Sequence, residues 1–263
     1  MSAVAQEATT SASTIGSSRL LLFRGVLLLA IFALWQGAVA FGVLDPRHWS
    51  SPILALERLI VLLTSVKFWP HFFDSLLATL LALALSGVLG TALALVFARR
   101  PLLEATVDPL LAMLQGIPRI AFAPLFVLFL GVGLSAKVTL SVSIVLFVFY
   151  ANAQQGLRKM DDALLRSLQL MGADRRQQIR MAVLPALLPW LWAALDLGLG
   201  LALIGVIISE FISSTRGIGH LIVAASLGFD TTGLIALLLV TMGMVIILRG
   251  VLGQLRKRFL PRF

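Results

Sequence analysis

The sequence contains no cysteine, which excludes a disulfide framework, a thiolate metal site and a cysteine nucleophile. Charge is scarce as well: 13% of the 263 residues are Asp, Glu, Lys or Arg, against 59% hydrophobic residues and a mean hydropathy of +1.01. That balance points to a chain that crosses a bilayer repeatedly, since apolar runs of about 20 residues span a hydrocarbon core roughly 30 Å thick. Histidine is limited to His48, His71 and His220, in separate segments without metal-ligand spacing such as i, i+4. Gly131 and Gly133 form only a G-x-G, and the phosphate-binding G-x-x-x-x-G-K-[ST] pattern is missing, so ATP is not bound by that means. No catalytic constellation of nucleophile, base and metal is visible. The first 18 residues lack the basic start of a signal peptide, and their Ser, Thr and Ala content predicts a disordered tail.

What is present is a succession of apolar runs. Gly25–Leu44, Ser75–Ala98 and Val138–Leu157 are uncharged. Ile120–Ala136 is short and extends backwards past Arg119 into the proline-bearing stretch Pro109–Pro118. Ala186–Ser209 carries Asp196, and Gly233–Leu248 ends at Arg249. Six spans are therefore predicted, in an all-α polytopic membrane protein. Pro52–Val66, with Glu57 and Arg58 in its middle, reads as a helix lying near the interface. With the amino terminus inside, 15 Lys and Arg residues fall on the cytoplasmic side and five outside (Arg47, Arg58, Lys67, Lys137, Arg216), with Arg119 unassigned. This positive-inside bias places both termini in the cytoplasm and accounts for the net charge of +9 without a nucleic-acid partner.

The polar interruption "RSLQLMGADRRQQIRMAVLP", Arg166 to Pro185, lies on the expected cytoplasmic side. Leu164, Leu168 and Met171, with Leu165 flanking, make the stripe of an amphipathic helix over Asp161–Met171. Gly172 suits the left-handed position that ends helices. Asp174 and Gln177 form a capping-box pair for a second helix, which is predicted to stop near Leu184 because Pro185 disfavours helical geometry before it. Two readings of this helix, elbow and helix stand at this point: a rigid basic knob that meets a protein partner, or a surface hairpin whose arginines lie on lipid phosphates.

The spacing from Gly172 to Leu184-Pro185 resembles the cytoplasmic loop signature of permease subunits of bacterial ABC importers. "PRIAFAPLFVLFLGVG" (Pro118 to Gly133), "SEFISSTRGIGHLI" (Ser209 to Ile222) and "LWQGAVAFGVLDPRHWSSP" are similar to the branch that handles nitrate, sulfonates and taurine. The resemblance implies a type I importer permease fold (MetI-like), with residues 19–263 as the permease domain and a coupling loop over about 158–185. It implies a second copy of the chain, two copies forming the path, a cytoplasmic ABC ATPase that binds ATP and magnesium, and an extracytoplasmic solute-binding protein; this chain itself holds no cofactor and does no chemistry. Gly172 and Ala173 would form the elbow in the ATPase cleft, with Asp174 and Arg175 just after it. Arg166, Ser167 and Leu168 fall where the signature has Glu-Ala-Ala, and Ala182 where it has isoleucine, before Leu184 and Pro185. With Arg166 in place of an acid, the facing surface of the ATPase is expected to differ in charge.

The ionisable residues within spans carry the remaining expectations. Asp196 costs roughly 2.5–3.5 kcal/mol at a bilayer centre, so it is expected to face protein or water, as a partner of Arg119 or Arg180 or in contact with solute. Arg119, in the proline-broken stretch between Pro118 and Pro124, offers a positive charge to an anionic solute, and Glu210 is expected to cap the outer gate. The small residues of "LGLGLALIG", Leu197 to Gly205, read as helix packing before they read as a ligand site. A secondary transporter driven by an ion gradient is the alternative function, with Asp196 and Arg119 as a relay, although no inverted repeat is visible in the span pattern.

Overall fold

A computed structural model describes residues 17–259 as a bundle of helices. Residues 1–16 of the expected tail lie outside the described residues, while Ser17 and Ser18 already belong to the first helix. In chain order the helices are α1 (Ser17–Ala40), α2 (Pro46–Trp49), α3 (Pro52–Thr64), α4 (Trp69–Ala98), α5 (Pro101–Gly116), α6 (Ala123–Leu130), α7 (Leu134–Arg158), α8 (Asp162–Leu170), α9 (Arg175–Gln178), α10 (Leu184–Ile212), α11 (Ile218–Leu227) and α12 (Thr231–Phe259). Among the described residues, five helical stretches are long and apolar enough to cross a membrane, and six if α5 and α6 are counted as one broken span. The bundle has a basic end, marked by Arg99, Arg100, Arg158, the α8–α9 elbow and the last turn of α12, and a far end marked by the start of α4 and the close of α10.

The core is the trio α4, α7 and α10, and small side chains make it possible. Ser75, Ala78, Thr79, Ala82, Ser86, Gly90 and Ala94 are buried along α4, recurring every three to four residues on one face. Such a stripe lets helix axes approach closely where no water is present to drive association. On α10 Gly198 and Gly205 serve the same purpose. A Cβ built at Gly205 would lie 2.8 Å from the Ser141 Cα of α7, and one at Gly198 would press on Val145, Leu83 and Phe149. Nearby, the Ser141 hydroxyl donates to the Ala202 carbonyl at 2.9 Å across the same contact. Leu83, Val145, Phe149, Ala194, Leu199 and Ala202 fill the middle, and Phe68, Leu203, Ile218, Ile222, Leu237, Val240 and Met244 fill the far end, where α11 and α12 close over α10.

The spans differ from those expected in four respects. The third span is not straight: α5 and the segment from Arg119 to Leu130 meet at 82°. The cause is Pro118, which holds Ile117 extended (φ −78°, ψ 129°) and starts a 3-10 turn over Arg119–Phe122. The run expected to reach Ala136 also breaks, because Gly131 takes a left-handed φ of 76° and ends α6. At Pro185, by contrast, the expected stop does not occur. A π turn over Ile179–Val183 sends the Leu184 N–H to the Ile179 carbonyl, and this widened turn absorbs the proline without breaking the helix. Arg175–Ile212 is therefore one continuous 38-residue rod. Finally, α12 continues to Phe259, so Arg249 lies inside the helix instead of flanking its end.

The packing gives a paired expectation. Gly205→Leu overfills the α7–α10 contact and should destabilise the detergent-solubilised protein by about 1–3 kcal/mol. Gly243→Leu, at a position with nothing within 4 Å of the new Cβ, should leave the thermal midpoint unchanged. Equal midpoints for the two variants in a melting series would contradict the assigned core.

Candidate functional site

Three places along the bundle axis concentrate polar chemistry, and α10 connects them. The first is the elbow at the basic end. Asp161 caps α8 by accepting from the Ala163 N–H at 2.8 Å, and Gly172 closes that helix with φ 76°. The Ala173 N–H donates to the Leu168 carbonyl (2.9 Å) and the Gly172 N–H to the Gln169 carbonyl (3.0 Å), which satisfies the terminal carbonyls. Asp174 and Gln177 then exchange reciprocal bonds of 2.7 and 2.8 Å, and the Gln178 amide donates to the Ala173 carbonyl. Every turn of the elbow is thus pinned by a specific bond. Leu168 is 5% exposed, whereas Leu170 and Met171 project at 90% and 74%, and Arg166, Asp174 and Arg175 are also exposed. Leu184 and Pro185 sit at its root, where α10 begins.

Beside the elbow, Arg158 at the end of α7 reaches two acids spaced one turn apart on α5. Its Nη2 lies 2.7 Å from Glu104 and 3.0 Å from Asp108. Tyr150 donates to Asp108 at 2.6 Å, and Gln154 donates to Glu104 at 2.8 Å. This ties the otherwise weakly packed α5 to the core. Sequence reasoning passed over the cluster because its members lie some 50 positions apart along the chain.

The second place is the break in the third span. Pro118, Arg119 and Pro124 come together there, with Pro124 in the first turn of α6. Alongside lies a cavity of about 590 Å³ whose wall includes Gln115, Arg119, Phe147, Asn152, Ile204 and Ile208. A second hollow of about 340 Å³ shares Ile117, Arg119 and Phe147 with it. The Arg119 guanidinium stands 4.1 Å over the Phe147 ring. Asp196 is not brought to this cavity. It lies about a third of a turn around α10 from Leu201, Ile204 and Ile208, and it pairs with Arg249 of α12 at 3.7 Å, not with Arg119 or Arg180. The α12 helix runs on to Phe259, so Arg249 is an interior residue of that helix, beside Asp196.

The third place is the far end, where α4, α7, α10 and α11 meet around two buried charges. Lys137 and Glu210 are 2% and 1% exposed. The Lys137 ammonium donates to Glu210 at 3.0 Å, to the Arg216 carbonyl at 2.6 Å and to Asp74, so all three of its donors are used. Glu210 also accepts from the Ser75 hydroxyl (2.8 Å) and the Gly219 N–H (2.8 Å), while Ser75 accepts from the Ile218 N–H at 2.8 Å. His71 accepts from the Gly217 N–H at 3.1 Å, and its ring stacks on that of His220 with centroids 5.9 Å apart. Two histidines that the sequence separates are thereby neighbours, although no group of three metal-ligating side chains occurs among the described residues. Glu210 was legible as an acid at a span end. Lys137 and Asp74 were not, since a lysine at the start of an apolar run reads as an ordinary flanking charge.

Comparison with known proteins bears on this arrangement. The family described as "binding-protein-dependent transport system inner membrane component" matches residues 86–261. A riboflavin transport system permease protein of Chloroflexus aurantiacus is 32% identical over 238 residues, 90% of this chain and 88% of its own length. The taurine transport system permease protein of Escherichia coli is 25% identical over 89% of this chain and 87% of its own. A putative aliphatic sulfonates transport permease protein of Bacillus subtilis is 29% identical over 80% and 76%. In structure, the chain resembles inward-facing MetNI, a methionine ABC transporter, with a TM-score of 0.62 at 18% identity over 71% of this chain and 93% of that one.

Breaking the far-end cluster by halves should be worse than removing it. Lys137→Met leaves Glu210 buried without its cation and should cost about 3–5 kcal/mol, read as a lower melting midpoint of the purified protein. Adding Glu210→Gln and Asp74→Asn to the same chain should recover most of the loss. A triple variant as unstable as the single one would show that the ion pairs are not what holds these helices together.

Proposed function

The chain belongs to the family of binding-protein-dependent transport system inner membrane components, and from that premise we propose how its parts divide the work of import. It is the membrane-spanning permease subunit of an ATP-driven importer and a multi-pass protein of the inner membrane. Its partners are an ATPase and a solute-binding protein, and it is not itself an enzyme. Our reading goes further in five respects. The solute is small, of the nitrate, sulfonate or taurine kind, which the names of two relatives support. ATP and magnesium are held by the ATPase chain. The basic end and both termini face the cytoplasm, in keeping with the excess of basic residues on that side, which remains when Arg249 is set within α12. Two copies of this chain stand about a two-fold axis with the solute path between them. The elbow is the coupling element.

The single observation that carries the reading is the pinned elbow with its exposed apolar tip, on the same rod as the cavity wall and the far-end cluster. Gly172 and Ala173 enter the ATPase cleft with Leu170 and Met171 at the tip. Asp174 and Arg175 flank it, Arg166 and Leu168 belong to the preceding helix, and Leu184 and Pro185 form the root. When ATP draws the two ATPase subunits together, the elbows move with them, and each rigid α10 carries the displacement to the path. Pro118, Arg119 and Pro124 shape that path, and Glu210 fixes its far end. Asp196, paired away from the cavity, belongs to the α10–α12 contact.

Gly172→Val tests the coupling assignment. A valine at φ 76° adds about 1–2 kcal/mol or more of local strain, whereas the spans are held by their own backbone bonds. The variant should reach the membrane at near-normal level, retain about tenfold less ATPase on co-purification and lose solute-stimulated ATP turnover. Arg176→Ala should do much less. If the elbow lay on lipid phosphates the order would reverse, and a Gly172→Val protein with its full complement of ATPase would refute the assignment.

A further inference from the structure

We propose that the permease reads the charge of its solute at Arg119, whose guanidinium forms an oxyanion subsite at the break in the third span. This deepens the transport reading above and rests on it. The residue lies where two hollows meet, and among the described residues it is the one charged side chain in the wall of either. Its Nη1 is buried and has no hydrogen-bond partner among the described residues.

Gln36 Oε1 and Ser86 Oγ share that condition, but among the described residues Arg119 is the one charged group in it. The acids that could have served it are engaged elsewhere: Asp196 with Arg249, Glu210 and Asp74 with Lys137, and Glu104 and Asp108 with Arg158. A buried guanidinium donor without an acceptor is costly, and a structure that pairs its other core charges leaves this one for something it does not itself contain. The Phe147 ring, 4.1 Å from the guanidinium carbon, holds the plane of the group by cation–π attraction and leaves its charge unneutralised. A planar fork stacked on a ring face in the wall of both hollows suits a sulfonate or carboxylate, which a guanidinium takes through charge-assisted hydrogen bonds. The rest of the wall suits a small ligand. Asn152 donates its amide to the Val148 carbonyl at 2.8 Å and Gln115 adds a second amide to the wall, while Ile144, Ile204 and Ile208 supply apolar surface. A neutral molecule of the same shape would accept hydrogen bonds from the fork without the charge attraction that makes them strong.

Charge selection within the membrane is therefore added to whatever selection the binding protein exerts. Methanesulfonate and dimethyl sulfone nearly match in size and differ in charge, so they isolate the effect. Equilibrium binding of each labelled probe is measured on the purified permease–ATPase complex in lipid nanodiscs, without binding protein. Methanesulfonate should bind the wild-type complex saturably, at least tenfold more weakly to Arg119→Gln and at an intermediate level to Arg119→Lys. Dimethyl sulfone should neither bind measurably nor compete. Methanesulfonate binding that is absent from the wild type, or equal in wild type and Arg119→Gln, would overturn the subsite. So would a sulfone that binds the wild type as well as the sulfonate does, a comparison that needs no variant. ATPase co-purification and basal ATP turnover of the same preparations report the transport reading separately. A complex that assembles and turns over ATP without charge discrimination sinks the subsite alone, and one that never assembles sinks the reading beneath it.

Discussion

A charge placed in a hydrocarbon core has no water to solvate it and must find its partner inside the protein. Much of this structure follows from that constraint. At the far end it draws Asp74, Lys137 and Glu210 from three helices into one buried knot, completed by backbone groups of the segment that follows α10. At the basic end the exposed Arg158 fastens the broken third span to α7. Between them Asp196 and Arg249 join α10 to α12. A buried ion pair such as Lys137–Glu210 adds little net stability over well-packed apolar residues, but it penalises any arrangement in which the partners are separated. Its effect is to specify which helices meet, in a molecule whose helices are nearly all apolar and otherwise interchangeable.

The same constraint supplies a mechanical argument. The knot and the elbow lie at opposite ends of one rod, Arg175–Ile212, and the cavity wall lies between them on residues Leu201, Ile204 and Ile208. A helix of that length transmits a push without dissipating it, provided it has no soft joint. Pro185 and Pro189 are the places where one would form. The π turn at Ile179–Val183 reroutes the Leu184 N–H to Ile179 and keeps the rod continuous past the first proline. The softness sits instead in the third span, where Pro118 imposes an 82° bend and the cavity opens. Rigid transmission along α10 against a bent neighbour is an arrangement that can widen or close a space between them.

Much of this was legible in the sequence, and what was not has a common cause. The apolar runs gave the spans because hydrophobic length is a local property, and the elbow followed from Gly172, Asp174 and Gln177 because capping is local too. Pro185 misled because a proline's neighbours decide whether a helix stops or widens. Arg249 misled because an arginine after an apolar run looks like a flank, while the helix runs on to Phe259. That error hid the partner of Asp196, for which Arg119 and Arg180 were the expected choices. The far-end knot was out of reach for a different reason. Lys137 meets Asp74 and Glu210 across 63 and 73 positions, and no local pattern encodes such a meeting.

The central claim is that this chain moves solute only under the control of an ATPase bound at its basic end. Vesicles reconstituted with the permease, its ATPase and its solute-binding protein test this directly when uptake of labelled sulfonates is followed with ATP on the ATPase side. The account predicts accumulation that requires ATP and persists after ionophores have collapsed proton and sodium gradients. Uptake that proceeds without ATP and vanishes with the ionophore would contradict it and establish an ion-driven carrier in its place.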